Sequence, residues 1–273
     1  MIQSFSCYKI HSTSDLPFCA HEYSKFKFGD GIMAKDFGKR LGQQFTEQYR
    51  ELLLDTDEIV AVPSPYNSIP TASYWMTIQF MEVVNLFRAA HKKKSLLTSK
   101  IHRYKTYSED YGNMSYEERM RLISTDTYYI DSEFLNNRVC LFLDDIRITG
   151  SHEHILRGLL TNRNISGHFI FIYFAELMNR DISPTFENVL NYSYVKSVEQ
   201  VAELFNSDHF VFNTRVIKYI LKTPSGDLDS FTRTVSQTRI REMIRLAISN
   251  NYHLMPEYEQ TLHYLLKLSN YGN

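Results

Sequence analysis

Two apolar strands joined by one helical segment constrain the fold of this 273-residue chain more than any other feature. The predicted strands cover residues 138–143 and 168–175, and residues 154–160 between them carry apolar side chains at helical spacing. Strands that are continuously apolar are buried on both faces, which is typical of parallel sheets. The order strand, helix, strand therefore predicts an α/β fold, a parallel sheet with helices on both faces.

The flanking segments extend this pattern toward both termini. Apolar side chains recur at helical spacing over residues 32–54 and 72–90, and residues 59–63 form a short apolar strand ended by prolines. From about residue 197 onward, the apolar positions are spaced as in helices. We therefore predict an α/β domain over residues 1–195, with a helical C-terminal region over residues 196–273 packed on it.

Composition and charge narrow the class of protein. With 43% hydrophobic and 22% charged residues, the chain is expected to be globular. A formal net charge of −1 provides no electrostatic footprint for nucleic acid or a membrane surface. We find neither an apolar segment of roughly 18 residues nor a signal-peptide pattern. Three cysteines without metal-ligand spacing fit a reducing compartment. We therefore expect a soluble cytoplasmic protein that binds neither nucleic acid nor membranes.

An acidic pair and a turn of small residues follow the first of the two strands. Ligands of open parallel sheets bind outside the carboxyl ends of the strands, where Asp144 and Asp145 are expected. Thr149, Gly150 and Ser151 then lead into a helix, whose first amides can hold a phosphate. The carboxylates can bind ribose hydroxyls or a magnesium-bound ligand. An acidic pair alone more often caps a helix. The combination of an apolar strand, two acidic residues and a turn of small residues leading into a helix instead predicts a binding site for a phosphorylated sugar.

Residues 139–151 resemble the signature with which type I phosphoribosyltransferases bind phosphoribosyl pyrophosphate (PRPP). The resemblance implies that Asp144 and Asp145 bind the ribose hydroxyls, act in catalysis and serve as magnesium ligands. It further implies that the turn at residues 149–151 holds the 5′-phosphate.

Two positions of the signature differ from the usual family pattern. Ile148 and His152 stand where the family usually has hydroxyl residues. Losing a hydrogen bond to a charged group costs roughly 1.5–3 kcal/mol. An imidazole N–H of His152 can replace one of these donors, so we include His152 among the expected phosphate-binding residues.

Two further segments are candidates for binding the pyrophosphate. Residues 62–68 lie where type I enzymes carry their pyrophosphate loop, with the hydroxyls of Ser64 and Ser68 as candidate donors; a rigid turn made by the two prolines explains the segment equally well. Residues 100–119 are polar, aromatic and long, and resemble the mobile loop that closes over PRPP. The candidate cations there are Arg103, Lys105 and Arg119, although each taken alone is more readily a surface cation.

An acceptor site is expected near the end of the strand at residues 168–175. Glu176, Asn179 and Arg180 are the polar side chains nearest to that point in the sequence, and we expect Glu176 and Asn179 to bind the acceptor. The alternative is that they simply cap the end of the strand.

The resemblance implies displacement of pyrophosphate from C1 of PRPP by a nitrogen nucleophile, usually a nucleobase, with Mg²⁺ as cofactor. The partners would be PRPP and a small-molecule acceptor. The sequence does not determine whether the chain forms a homodimer. The alternative is a non-catalytic regulator with the same fold that senses PRPP or a nucleotide, which Ile148 and His152 favour slightly. A doubly wound enzyme with an acidic pair around magnesium is a third reading, but it leaves the turn at residues 149–151 unexplained.

A narrower resemblance involves the N-terminal part of the chain. Residues 23–31, together with residues 144–153, look most like the phosphoribosyltransferase-like proteins found with bacterial tellurium-resistance and stress gene clusters. This resemblance would extend over most of the chain, including the helical C-terminal region.

Overall fold

The computed structural model describes residues 1–104, 115, 117 and 128–269. The strands are β1 (Ile2–Ile10), β2 (Ile59–Pro63), β3 (Leu97–Thr98), β4 (His102–Arg103), β5 (Tyr128–Tyr129), β6 (Arg138–Arg147) and β7 (Gly167–Leu177). The helices before β7 are α1 (Ala20–Lys27), α2 (Gly31–Gln48), α3 (Arg50–Asp55), α4 (Ala72–Ala90), α5 (Ser132–Leu135) and α6 (Ser151–Asn162). After β7 come α7 (Phe186–Asn191), α8 (Val198–Asn206), α9 (Thr214–Leu221), α10 (Ser225–Thr234), α11 (Gln237–Ser249) and α12 (Pro256–Leu268), with a 3₁₀ turn at Tyr252–Leu254. Within these described ranges, no helix combines the length and the apolar character needed to cross a membrane.

Five strands form one parallel sheet in the order β1-β7-β6-β2-β3. The two strands predicted at residues 138–143 and 168–175 are its centre, where β6 pairs along its length with β7. β1 was not predicted, yet it adds to the far side of β7 with Ile2 opposite Phe169. β4 and β5 form a separate antiparallel pair.

Alternating side chains of the sheet enter two separate hydrophobic clusters. In β2, Ile59 and Ala61 join the cluster that contains the apolar faces of α2 and α4, whereas Val60 and Val62 join the cluster that contains Leu156 of α6. Because neighbouring residues of a strand point to opposite faces, helices cover both faces of the sheet. The predicted class, an α/β fold with helices on both faces of a parallel sheet, is confirmed.

Two predicted boundaries need correction. The helix expected at residues 32–54 is two helices, because Tyr49 leaves helical geometry with φ −111° and ψ 29°. The strand expected to end at residue 143 continues to Arg147, so Asp144 and Asp145 belong to β6 and not to the loop after it. As consecutive strand residues, they point to opposite faces of the sheet.

The helices after residue 197 surround a third hydrophobic cluster, which Phe28 and Ile69 from the N-terminal part also join. Two backbone hydrogen bonds attach this region beside α1: the N–H of Gly31 donates to His209 O at 3.0 Å, and the N–H of Val211 donates to Gly29 O at 2.9 Å. Gly29 has φ +92°, and a Cβ there would lie 2.5 Å from Val211 O. This close approach requires glycine.

Candidate functional site

A cavity of about 690 Å³ lies between the carboxyl end of β6 and the C-terminal helices. One wall is formed by the end of β6 and the start of α6, residues 144–153. The opposite wall comes from the helical region and includes Lys196, Arg215 and Tyr219. The acidic pair and the turn singled out in the sequence therefore line the same cavity.

Asp144 is held as an anion by its neighbours. Ser64 Oγ donates to its Oδ1 at 2.7 Å, the N–H of Asp145 donates to the same oxygen at 2.9 Å, and His152 Nδ1 lies 2.9 Å from Oδ2. Burial alone would raise the pKa of Asp144, but the hydrogen bond and charge of His152, with the bond from Ser64, lower that pKa well below its ordinary value. His152 therefore acts on Asp144 as well as lining the cavity.

Asp145 is bound from the opposite face of β6 by α1. The Tyr23 hydroxyl donates to Asp145 Oδ2 at 2.8 Å, and the Lys27 ammonium forms an ion pair with the same oxygen. Burial and the charge of Asp144 raise the pKa of Asp145, although Lys27 opposes this. Burial also raises the pKa of Tyr23 well above its ordinary value, so this phenol remains a donor.

The sequence interpretation missed Lys27 and Tyr23. A local signal was present, because the two residues are four apart and therefore share a face of a helix that also buries Phe26. A lysine on an apolar face is rarely buried without a partner, so an acidic partner could have been sought.

The turn at residues 149–151 connects β6 to the N-terminus of the twelve-residue helix α6. Thr149 Oγ1 lies 2.7 Å from Ser151 Oγ and accepts a bond from the N–H of Ser151 at 3.3 Å. Gly150 has φ +74°, a left-handed conformation that favours glycine. These residues line the cavity at a helix N-terminus, where backbone amides and the helix dipole favour an anion.

Arg147 lies beside this turn. It forms ion pairs with Glu153 at 3.0 Å and with Glu176, and a Cβ at Gly150 would lie 3.4 Å from its guanidinium group. Glu153 is buried and also accepts a hydrogen bond from the Tyr173 hydroxyl at 3.0 Å. This network holds the strand end against the start of α6.

The structure separates the residues predicted to bind pyrophosphate. Ser64 lines the cavity and donates to Leu143 O at 3.0 Å as well as to Asp144, and Arg103 of β4 lines the same cavity. Ser68 instead donates its hydroxyl to Ser249 O at 2.9 Å, at the end of α11. Lys105 and Arg119 lie outside the described residues.

The two residues predicted to bind the acceptor have protein partners. Glu176 pairs with Arg147 and accepts a hydrogen bond from Ser6 Oγ at 3.2 Å. Asn179 Nδ2 donates to His11 O at 3.2 Å. Among the described residues that line the cavity, neither Glu176 nor Asn179 is found.

The helical wall is the part of the site that the sequence interpretation did not anticipate. Lys218, Tyr219 and Lys222 line the cavity from α9 and its end, and Asp227 lines it from α10. Asp227 lies in the first turn of α10, which begins at Ser225. The polar side chains of α9 can be recognised as part of a site only when the position of this helix opposite β6 is known.

Asp144 and Asp145, the expected magnesium ligands, are consecutive residues of β6 and both line the cavity, and their binding of a magnesium ion stays a prediction. In the part of the chain that the structure describes, no group of three or more His, Cys, Asp or Glu side chains could hold a metal ion.

The sheet, the acidic strand end and the turn at the start of α6 define a phosphoribosyltransferase-like protein. The sequence model of the family described as PRTase ComF-like matches residues 1–265. The chain therefore belongs to this phosphoribosyltransferase-like family.

Solved phosphoribosyltransferases show a distant similarity to this chain. A hypoxanthine-guanine phosphoribosyltransferase from Bacillus anthracis is 13% identical, with 57% of this chain and 76% of that chain covered and a TM-score of 0.34. The hypoxanthine phosphoribosyltransferase of Trypanosoma cruzi is 11% identical, with 56% of this chain and 76% of that chain covered and a TM-score of 0.36. The hypoxanthine phosphoribosyltransferase of Staphylococcus aureus is 14% identical, with 52% of this chain and 72% of that chain covered and a TM-score of 0.32. No curated protein matches the sequence.

Proposed function

We propose that this protein binds PRPP together with Mg²⁺ and transfers the phosphoribosyl group to a nitrogen nucleophile, such as a nucleobase, with release of pyrophosphate. One observation carries the proposal: anionic Asp144 and the turn at residues 149–151 line one cavity at the N-terminus of α6. A ribose 5-phosphate has the two groups that such a site recognises, hydroxyls for the carboxylate and a phosphate for the helix N-terminus.

Asp144 and Asp145 have different tasks in this proposal. Asp144 accepts hydrogen bonds from the ribose hydroxyls, since its pKa keeps it ionised. Asp145 is the next residue of β6 after Asp144, and its carboxylate is held by Lys27 and Tyr23. Thr149, Gly150 and Ser151 bind the 5′-phosphate through backbone amides and hydroxyls.

The pyrophosphate group would be held by Ser64 and Arg103, which line the same cavity. Lys105 and Arg119 stay predictions for this role. Mg²⁺ is usually held by one or two carboxylates together with substrate phosphates, and the single carboxylate of Asp144 fits that requirement. Bound there, the ion would neutralise charge on the leaving pyrophosphate.

The proposed reaction needs no nucleophile from the protein. Departure of pyrophosphate leaves positive charge on C1 and the ring oxygen, and the acceptor nitrogen forms the new bond at C1. The protein contributes by positioning the two substrates, by placing anionic Asp144 near the charged sugar, and by excluding water.

Calorimetric titration of PRPP with Mg²⁺ tests the binding step. Saturable binding is expected for the wild type, and Asp144→Asn should weaken it by roughly tenfold to a hundredfold, because a charged hydrogen-bond acceptor is lost. Asp208→Asn is the matched control, as this exposed residue lies outside the cavity lining. Absence of PRPP binding by folded wild type would contradict the proposal.

A second candidate is a regulator that binds PRPP or a nucleotide without transferring the sugar. The observation that favours it is the Asp145 carboxylate, which Lys27 and Tyr23 already bind. Pyrophosphate release separates the two functions. Release with any nucleobase supports the transferase, whereas binding without release from a broad set of nitrogen acceptors supports the regulator.

The relation to proteins of tellurium-resistance and stress gene clusters remains a proposal that rests on residues 23–31 and 144–153. A cytoplasmic location likewise remains a prediction, and a homodimer stays open.

A further inference from the structure

The face of α9 that lines the cavity is cationic. Arg215, Lys218 and Lys222 all line it, and their spacing of three and four residues places them on one side of the helix. The opposite side of α9 is apolar and buried, with Val216, Ile217, Ile220 and Leu221. The orientation of the helix is therefore determined by its core face, which leaves the cationic stripe toward the cavity.

Helix stability does not account for the position of Arg215. Lys218 and Lys222 lie near the C-terminus of α9, where the helix dipole favours cations. Arg215 is the second residue of the helix, at the end where the dipole disfavours a cation, and this first turn contains no acidic residue. The position of Arg215 on the cavity side is instead set by the buried apolar face of α9.

Hydrogen bonds hold the start of α9 against the α/β part of the molecule. Buried Asn213 caps the helix, and its Nδ2 donates to the carbonyl oxygen of Lys27 at 3.2 Å. The N–H of Thr214 donates to Pro70 O at 3.0 Å. Since the ammonium of the same Lys27 binds Asp145, the cationic face and the acidic pair are placed relative to each other by shared contacts.

Two aromatic rings accompany the cations on this wall. Tyr192 and Tyr219 line the cavity with ring centres 6.3 Å apart and an angle of 38° between the rings. The guanidinium of Arg215 lies 5.9 Å from the centre of the Tyr192 ring. Aromatic rings beside cations suit a planar ligand that carries a negative group.

Acidic side chains also occur on the helical wall of the cavity. Glu187, Glu199 and Asp227 line the cavity from the neighbouring helices. The stripe of α9 itself contains three cations and no acid.

We propose that the cationic face of α9 binds an anionic group of the second substrate, so that the acceptor is a planar nitrogen compound bearing a carboxylate or a phosphate. This inference rests on the proposed transfer reaction and specifies its acceptor. The pyrophosphate of PRPP is another anion in the same cavity, and the test must therefore separate the two sources of negative charge.

The test compares near-isosteric acid and neutral probes. Nicotinate and nicotinamide, and orotate and uracil, are titrated calorimetrically into the protein with and without saturating PRPP and Mg²⁺. The variants are Arg215→Ala/Lys218→Ala and the control Arg241→Ala/Arg245→Ala, which removes two exposed cations of α11 outside the cavity lining. Thermal unfolding verifies that each variant is folded.

We expect wild type and control to bind at least one acid about tenfold to a hundredfold more tightly than its neutral partner. The α9 variant should lose this preference while its PRPP affinity stays unchanged. The inference is overturned if the wild type binds the acid and neutral probes equally, both with and without PRPP and Mg²⁺. It is likewise overturned if the wild type binds neither probe. It is also overturned if the α9 variant retains the preference, or if that variant weakens PRPP binding instead.

The failure of this inference can be distinguished from failure of the proposed function. Loss of PRPP binding in the wild type contradicts the proposed function, whereas the titrations without PRPP still report whether α9 selects anions.

Discussion

The ammonium group of Lys27, at the end of α1, forms an ion pair with the carboxylate of Asp145, 118 residues further along the chain. The two side chains are only 11% and 8% exposed. The hydroxyl of Tyr23, one turn earlier in α1, donates to the same carboxylate oxygen. The charge state of Asp145 in β6 therefore depends on side chains of α1, a helix that is distant in the sequence.

Substituting Lys27 by Met should destabilise the fold. Removal of one partner of a buried ion pair leaves an uncompensated charge and costs about 3–5 kcal/mol. Urea unfolding at pH 7 measures the loss, and the double variant Lys27→Met/Asp145→Asn should recover a large part of it. Lys39→Met in α2 is the control, because Lys39 is exposed. Equal stability of the two single variants would show that the ion pair contributes nothing.

The pKa of Asp144 should rise when His152 is replaced by Ala, because the imidazole is the main group opposing the effect of burial. A carboxyl whose pKa is lowered by folding stabilises the protein above its unfolded pKa, and this stabilisation is lost as the pH falls through the folded pKa. The variant should therefore unfold in acid at a higher pH. Carboxyl ¹³C NMR measures the pKa, with exposed His154→Ala as control. An unchanged Asp144 titration would contradict the assignment.

Gly150→Ala and Gly158→Ala should have opposite effects on stability. At Gly150, with φ +74°, an L residue adopts the left-handed region at a cost of about 1–2 kcal/mol. Gly158 lies within α6 with no atom within 4 Å of an added Cβ, so Ala there should stabilise by about 0.5–1 kcal/mol. Thermal unfolding of both variants checks this. Equal effects would show that the turn tolerates a side chain.

Asn250→Ala should loosen the segment after β2. Asn250 Oδ1 accepts bonds from the backbone N–H groups of Ser68, at 2.9 Å, and Ile69, at 3.1 Å. Asn250 is 3% exposed, and truncation leaves the buried N–H of Ile69 without its acceptor at a cost of about 1–3 kcal/mol. Chemical unfolding gives the free energy, and hydrogen exchange should become faster at these two amides. Asn162→Ala, exposed at the end of α6, is the control; unchanged exchange in Asn250→Ala would contradict the role.

Much of the candidate site was predictable because its residues are close together in the sequence. Asp144, Gly150 and Ser151 lie within one strand–turn–helix unit, and local geometry brings them to the end of β6. Ser64 was also predictable, since β2 is parallel to β6 with Pro63 opposite Leu143, which places the next residue beside Asp144. Ser68, only four residues later, is instead held by Asn250 and Ser249, which no local pattern indicates.

The sequence by itself determined the α/β class, because continuous apolar strands must be buried on both faces and only helices on both sides achieve this. It also determined the turn at Gly150, where a left-handed residue connects strand to helix. Only the tertiary structure decided that Lys27 binds Asp145 and that Arg215 lies across the cavity from the turn. Such contacts depend on how distant helices pack against the strand ends. Local periodicity describes which face of each helix is buried, but it does not determine which elements that face meets.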